Sequence, residues 1–247
     1  MKRSVITVVA VMAALALVAT VSPAAEKGKG RRRANAEGAA KEVQKAETGK
    51  PEAGKNGWVA LFDGTDTKGW HMRNEKEKNN WVAENNELIN KATGSDIISD
   101  EKLGDCELHV EFNSPPSGNS GVYLQGRYEV QVCDSSRAKA PDPHVCGAVY
   151  GRIAPKEIVP QKPGEWQSFD IKFRQAQLGP DGKVAKKARI TITHNGVLVI
   201  DDAEIDGVTG GAVDNKEGTP ASLMLQGDHS AMQYRNVLCR PLKEAAK

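Results

Sequence analysis

Three segments of the chain gather side chains able to do acid–base or hydroxyl-binding chemistry. Gly118-Asn119-Ser120-Gly121-Val122-Tyr123-Leu124-Gln125 is the first. Its glycines free the backbone to turn and leave room beside Asn119 and Tyr123. Tyr128-Glu129-Val130-Gln131-Val132 is the second, joined to the first by Gly126-Arg127. So short a connection predicts neighbouring strands, which gathers Tyr123, Gln125, Glu129 and Gln131 in one neighbourhood. Leu225-Gln226-Gly227-Asp228-His229, followed by Tyr234-Arg235-Asn236, is the third. It sets an acid, a histidine and an amide at a strand end, where side chains reach into a cleft.

Other chemistries fit less well. Glu111 and Glu129 could form the carboxylate pair of a glycosidase. A laminarinase-like glucanase, however, carries an aspartate between carboxylates on one strand. Here Glu107-Leu108-His109-Val110-Glu111 has histidine in that place. The five histidines lack the close spacing of a zinc site; no cofactor is expected, and a divalent metal is left open. There is no Gly-Xaa-Ser-Xaa-Gly elbow, and no glycine-rich loop opens a helix. Trp58, Trp70, Trp81 and Trp166 could stack on sugars, although core or sheet-edge positions are the commoner fate of such residues.

The elements that must position these side chains read as strands. Cys106, Leu108, Val110 and Phe112 alternate with Glu107, His109 and Glu111, and Tyr128 to Cys133 repeats the pattern. Further strands are expected at 58–62, 81–83, 88–90, 122–125, 148–150, 166–173, 189–193, 197–201, 223–226 and 232–239. His194-Asn195-Gly196 predicts a tight hairpin turn. About a dozen short strands between Gly, Pro and Asn turns predict an all-β sandwich or jelly roll. Each sheet of a sandwich has one wet face. A concave wet face bearing carboxylates and amides would suit sugar hydroxyls, though an ordinary solvated face gives the same pattern.

The N-terminus bounds the compartment. Lys2-Arg3, an apolar run from Val5 to Val21 and small residues before Ala25 read as a signal peptide over residues 1–24. Export to the periplasm or the exterior, with no stable membrane insertion after cleavage, is the expectation. Residues 25–56 hold no large apolar residue except Val43 and read as a disordered basic linker. The chain's charge of +2 arises there: its 34 basic and 32 acidic residues, less eleven and five in the first 56 positions, leave the folded part near −4. Such a balance argues against a nucleic-acid surface. One domain, 57–247, holds Cys106, Cys133, Cys146 and Cys239. Four cysteines allow three full pairings. Cys133 and Cys146 flank one polar loop and are the favoured bridge, while Cys106 reads as core.

Several motifs then occur in a known order. Leu61-Phe62-Asp63-Gly64 with Gly69-Trp70, Gly118 to Tyr123, Tyr128 to Gln131, Gly147-Ala148-Val149-Tyr150-Gly151, Pro163-Gly164-Glu165-Trp166, His194-Asn195-Gly196-Val197, and Leu225-Gln226 through Arg235-Asn236 span nearly the whole domain. Together they resemble the 3-keto-disaccharide hydrolase domain family. The resemblance implies a concanavalin A-like jelly roll acting on a glycoside already oxidised at C3 by a separate sugar 3-dehydrogenase. The ketone acidifies the C2 hydrogen; a base removes it, the C1 substituent leaves, and water adds.

For that chemistry the resemblance implies roles. Glu129 would be the base or grip sugar hydroxyls. His229 would be a second candidate base, or the acid for the leaving group, oriented by Asp228. Arg127, Gln131 and Gln226 would orient the sugar or donate to the keto oxygen, with Asn119 and Tyr123 beside them. Glu111, on the same presumed face, would set a pKa there. The loop 134–146 would shape the substrate rim. A structural Glu129–Arg235 ion pair is the plain alternative for Glu129. At the level of the whole protein, the alternatives are a non-catalytic carbohydrate-binding module at the cell envelope and, more distantly, a glycosidase acting on unoxidised glycan.

Overall fold

The computed structural model describes residues 50–243; the expected signal peptide and most of the expected linker lie outside them. Fifteen strands occur among the described residues, and no helix. In chain order they are β1 (Val59–Phe62), β2 (Trp70–Met72), β3 (Trp81–Glu84), β4 (Glu87–Asn90), β5 (Ile97–Leu103), β6 (Cys106–Asn113), β7 (Asn119–Leu124), β8 (Tyr128–Cys133), β9 (Trp166–Arg174), β10 (Gln177–Leu178), β11 (Val184–Lys186), β12 (Arg189–His194), β13 (Val197–Glu204), β14 (Ala221–Leu225) and β15 (Met232–Pro241). One antiparallel sheet runs β13-β12-β9-β6-β15-β4-β3, with β1 added on β15. The second runs β2-β5-β14-β7-β8, and β10-β11 is a separate hairpin. This is the expected all-β jelly-roll sandwich.

Alternation builds the core. Leu108, Val110 and Phe112 of the first sheet and Val122, Leu124, Tyr128, Val130 and Val132 of the second belong to one buried cluster. The intervening residues, pointing the other way, form the outer faces. On β9 and β12 that alternation leaves every second residue at least partly exposed, whereas β7 and β8 are buried almost throughout. Their outer side chains are polar, so something other than the core covers them. That cover comes from the segments after β8 and after β13.

β8 is an edge strand, and its free edge is capped by backbone. Gln131 N donates to Ala148 O at 2.9 Å, Gly147 N to Gln131 O at 2.9 Å and Tyr150 N to Glu129 O at 3.0 Å. This closes an edge that would otherwise offer unpaired groups. The expected strand at 148–150 reduces to single bridges of Val149 to Val130 and Ile153, because the chain turns at Gly147 and Gly151, both at positive φ. The β12–β13 hairpin is as expected, with Asn195 at φ 48° and Gly196 at φ 80°.

Two expectations need revision. Residues 50–56, assigned to the linker, form turns: Gly54 N donates to Trp58 O at 2.8 Å, and Lys50 bonds Glu111. All four cysteines are free thiols. In place of a Cys133–Cys146 bridge, Ser135 Oγ lies 3.2 Å from Cys133 Sγ and accepts from Cys146 N at 2.8 Å. Its hydroxyl serves both residues.

Candidate functional site

The outer face of the second sheet carries the site. Across β7 and β8, Tyr123 faces Glu129 and Gly121 faces Gln131. By alternation Asn119, Gly121, Tyr123, Glu129 and Gln131 share this face, and Gln226 joins them just beyond β14. Glu129 is only 4% exposed. Its carboxylate lies over Gly121: a Cβ there would stand 2.5 Å from Glu129 Oε1, 2.8 Å from its Cγ and 2.8 Å from Tyr123 Cε2. Only glycine leaves that space. Gly121→Ala is therefore expected to displace the Glu129 carboxylate and lower turnover by about 100-fold, the cost a small misplacement can carry. Steady-state kinetics with a circular-dichroism control would check it; wild-type turnover would show that Glu129 does not need this seat.

Two walls enclose the floor. The segment after β13 forms one. Thr209 Oγ1 accepts from Glu129 N at 3.0 Å and donates to Arg127 O at 3.0 Å. The Tyr123 hydroxyl lies between Gly210 O, at 3.1 Å, and the Glu129 carboxylate. The other wall comes from the residues before β5 and after β14. Asp96 accepts from Gly227 N at 2.9 Å and from Arg73 at 3.1 Å. Arg73 also donates to Gly211 O at 2.8 Å and Ala212 O at 3.0 Å, tying the walls together. At the rim, His229 Nδ1 bonds the Asp228 carboxylate. That contact holds the ring and leaves Nε2 without a hydrogen bond to any described residue.

Electrostatics single out Glu129. Burial pushes its carboxyl up to about 7; the Tyr123 hydroxyl and His229 oppose the rise, while Asp228 and Asp96 add to it. Burial and the neighbouring Glu129 push Tyr123 well above its ordinary value, so it remains a hydroxyl. Gln131 Oε1 and Asn119 Oδ1 are buried without a hydrogen-bond partner among the described residues. Gln131 Nε2 is held by His144 O at 3.3 Å, which leaves Oε1 as an acceptor for a ligand hydroxyl. A cleft of about 260 Å³ opens at the second wall, lined by Asp96, Asp228, Arg73 and neighbours. A larger groove of about 550 Å³ lies by Pro115, Pro116 and Gln233, with Lys91 as its one titratable lining residue. Its position and chemistry set it apart from this site. Among the described residues no group of three or more His, Cys, Asp and Glu side chains is arranged to hold a metal ion.

Not every expected residue comes here. Arg127 is buried and committed elsewhere, to Asp214 at 2.6 Å and Thr219 O at 2.8 Å. It clamps the wall segment from beneath. Gln125 turns to Leu103 O at 2.9 Å. Glu111 sits on β6 of the other sheet, so it does not share the face of Glu129. Burial raises its pKa, but hydrogen bonds from Lys50, Arg235 and Asn236 outweigh that and hold it at about 2. Arg235 pairs with Glu111 at 2.6 Å and lies 3.9 Å over the Trp166 ring, which replaces the Glu129–Arg235 alternative. His109, the central histidine of the Glu107 to Glu111 strand, bonds Asp170 at 2.6 Å. The indoles of Trp70 and Trp81 donate to Leu61 O and Ser95 O, at 2.7 and 2.8 Å. Sequence reasoning missed Asp96, Arg73 and Thr209. Asp96 had one signal, its place directly before the apolar pair Ile97-Ile98.

Comparison with known proteins agrees with this architecture. A glycosyl hydrolase, so assigned provisionally, from Parabacteroides distasonis ATCC 8503 superposes with a TM-score of 0.65 at 28% identity, over 76% of this chain and 84% of that one. A second protein from that organism, with the same provisional assignment, superposes at 0.54 and 23% identity, over 76% of this chain and all (100%) of that one, a likeness of fold. No curated protein matched the chain. The model of the 3-keto-alpha-glucoside-1,2-lyase-like domain family matches residues 57–240, and the chain belongs to that family.

Proposed function

We propose that the protein cleaves the glycosidic bond of 3-keto-glycosides, 3-keto-disaccharides among them, by proton abstraction at C2, elimination at C1 and hydration. Family membership and the likeness to a provisionally assigned glycosyl hydrolase support a carbohydrate-active enzyme. The observation that carries the finer reading is the buried Glu129 carboxyl, raised to about 7 on a polar floor. A base with that pKa is half ionised at neutral pH and strong enough to take a proton next to a ketone.

The steps follow from the placement. Glu129 takes the C2 proton. The Gln226 amide donates to the C3 oxygen as enolate charge develops, while the Tyr123 hydroxyl positions the Glu129 carboxylate. Gln131 Oε1 and Asn119 Oδ1 accept sugar hydroxyls. His229, braced by Asp228, gives a proton to the departing C1 oxygen. The electron pair of the C2–H bond becomes the C1=C2 bond, conjugated with the ketone. Water then adds across it, OH at C1 and H at C2, so the products are those of hydrolysis. The substrate requires a separate dehydrogenase that oxidises the C3 hydroxyl, and the N-terminal pattern supports export to the periplasm or exterior.

The test is to incubate the protein with 3-keto-trehalose and with trehalose, following free 3-keto-glucose by chromatography. Cleavage of the keto sugar alone is expected. Failure to cleave several 3-keto sugars by folded protein that still binds intact glycan would move the reading to a carbohydrate-binding module. His229→Ala adds a sharper readout: about 100-fold slower turnover with a sugar leaving group, but little change with p-nitrophenolate, which departs without protonation. Equal losses with both leaving groups would remove His229 from the acid role.

A further inference from the structure

The cleft beside the Glu129 floor has a chemistry the reaction alone does not dictate. About 260 Å³ in volume, it is bounded by Arg73, Asn74, Glu77, Ser95, Asp96 and Asp228. Drug-sized ligands occupy about 300–1,000 Å³, so this space suits one ring. It adjoins the floor, because Arg73 of its lining donates to the carbonyl of Gly211, the residue next to Gly210, whose carbonyl accepts from the Tyr123 hydroxyl of the floor. Asp228 also anchors His229, the proposed donor to the departing oxygen. The group that leaves therefore departs toward this cleft.

Its charges are one-sided. Glu77, Asp96 and Asp228 contribute three carboxylates. Arg73 is the one cation of the lining, and Asp96, Gly211 O and Ala212 O take up its guanidinium. The Glu77 carboxylate accepts from Asn74 Nδ2 at 2.7 Å and is otherwise open to solvent. Gln131, 4% exposed, adds an unpartnered acceptor, Oε1, on the adjoining floor. Acceptors dominate, and hydroxyl groups are the donors that satisfy them without bringing negative charge.

Resting on the reaction proposed above, we infer that this cleft is the leaving-group subsite and selects an uncharged, hydroxyl-rich sugar ring against rings carrying a carboxylate or phosphate. A second negative charge would meet three carboxylates, and Arg73, the one cation of the lining, is already engaged by Asp96 and two backbone carbonyls. The discrimination is electrostatic and must weaken with salt.

The probes are 3-keto-trehalose and its analogue whose unoxidised ring carries a C6 carboxylate, assayed with the full-length protein. At low ionic strength kcat/KM for the carboxylate analogue is expected to be at least about 10-fold lower. The gap should narrow toward 1 M NaCl, where the screening length falls to about 3 Å. Glu77→Gln should raise the ratio of anionic to neutral kcat/KM about threefold. Equal cleavage at low salt, or an unchanged ratio in Glu77→Gln, overturns the inference. Calorimetry with glucose and glucuronate separates this from the reaction itself. Glucose bound in preference to glucuronate supports the subsite even if no keto sugar is cleaved. Glucuronate bound as tightly, or neither sugar bound at tens of millimolar, overturns it.

Discussion

Glu129→Gln is expected to lower kcat/KM on 3-keto-trehalose by about 1,000-fold, within the range that a positioned general base contributes. The amide keeps the shape and still accepts from Tyr123, but it cannot take the C2 proton. The pH dependence makes the test specific. Burial, with Asp228 and Asp96 adding to it, places the wild-type carboxyl at about 7. Only the ionised form is a base, so wild-type kcat/KM should rise with pH along a limb of apparent pKa near 7, before a fall at higher pH as the acid loses its proton. The residual activity of the variant should lack that limb. If Glu129→Gln kept the limb and most of the rate, another group would be the base; His229, at the rim, would be examined next. Loss of binding with kcat unchanged would instead assign Glu129 to gripping sugar hydroxyls.

The floor of the site was legible in the sequence, and its walls were not. Tyr123, Glu129 and Gln131 could be placed together because β7 and β8 are joined by only three residues and strands alternate strictly. Local pattern was enough there. Arg127 lies within the same stretch, yet its partner Asp214 is 87 residues away, and nothing local says that the guanidinium points beneath the wall segment. Glu111 failed for a related reason. Alternation tells which side of its own strand a residue takes, but it does not say which sheet the strand joins. β6 went to the sheet opposite β8, so two acids of similar pattern ended on opposite outer faces. β5 escaped notice because its burial is interrupted: Ile97, Ile98 and Ser99 are buried, then Asp100, Glu101 and Lys102 are exposed. With β5 unread, Asp96 had no strand to introduce it. Arg73 is positioned only by contacts with Asp96 and with backbone carbonyls far along the chain, which have no side-chain signature.

The same environment that raises Glu129 must cost the fold stability, and the cost has a sign and a pH window. The unfolded chain ionises this carboxyl near its ordinary 4.5, while the folded protein does so only at about 7. Below 4.5 the group is protonated in both states and takes nothing from folding. As pH rises from 4.5 to 7 the unfolded state loses its proton first and gains stability relative to the fold. Above 7 both are ionised and the penalty is constant. A shift of this size corresponds to about 3 kcal/mol, a large share of a typical domain's stability. Glutamine cannot ionise, so Glu129→Gln should become progressively more stable than wild type across that window. The growth, rather than any constant offset from the substitution, is the prediction. Urea unfolding of both proteins from pH 4 to 8.5 would measure it. A gap of about 3 kcal/mol opening between pH 4.5 and 7 would mean that Glu129 is held as a strained base at the expense of the fold. A gap that stayed flat with pH would mean that solvent reaches the carboxylate and that its basicity is ordinary. The proposed proton abstraction would then lose its physical ground.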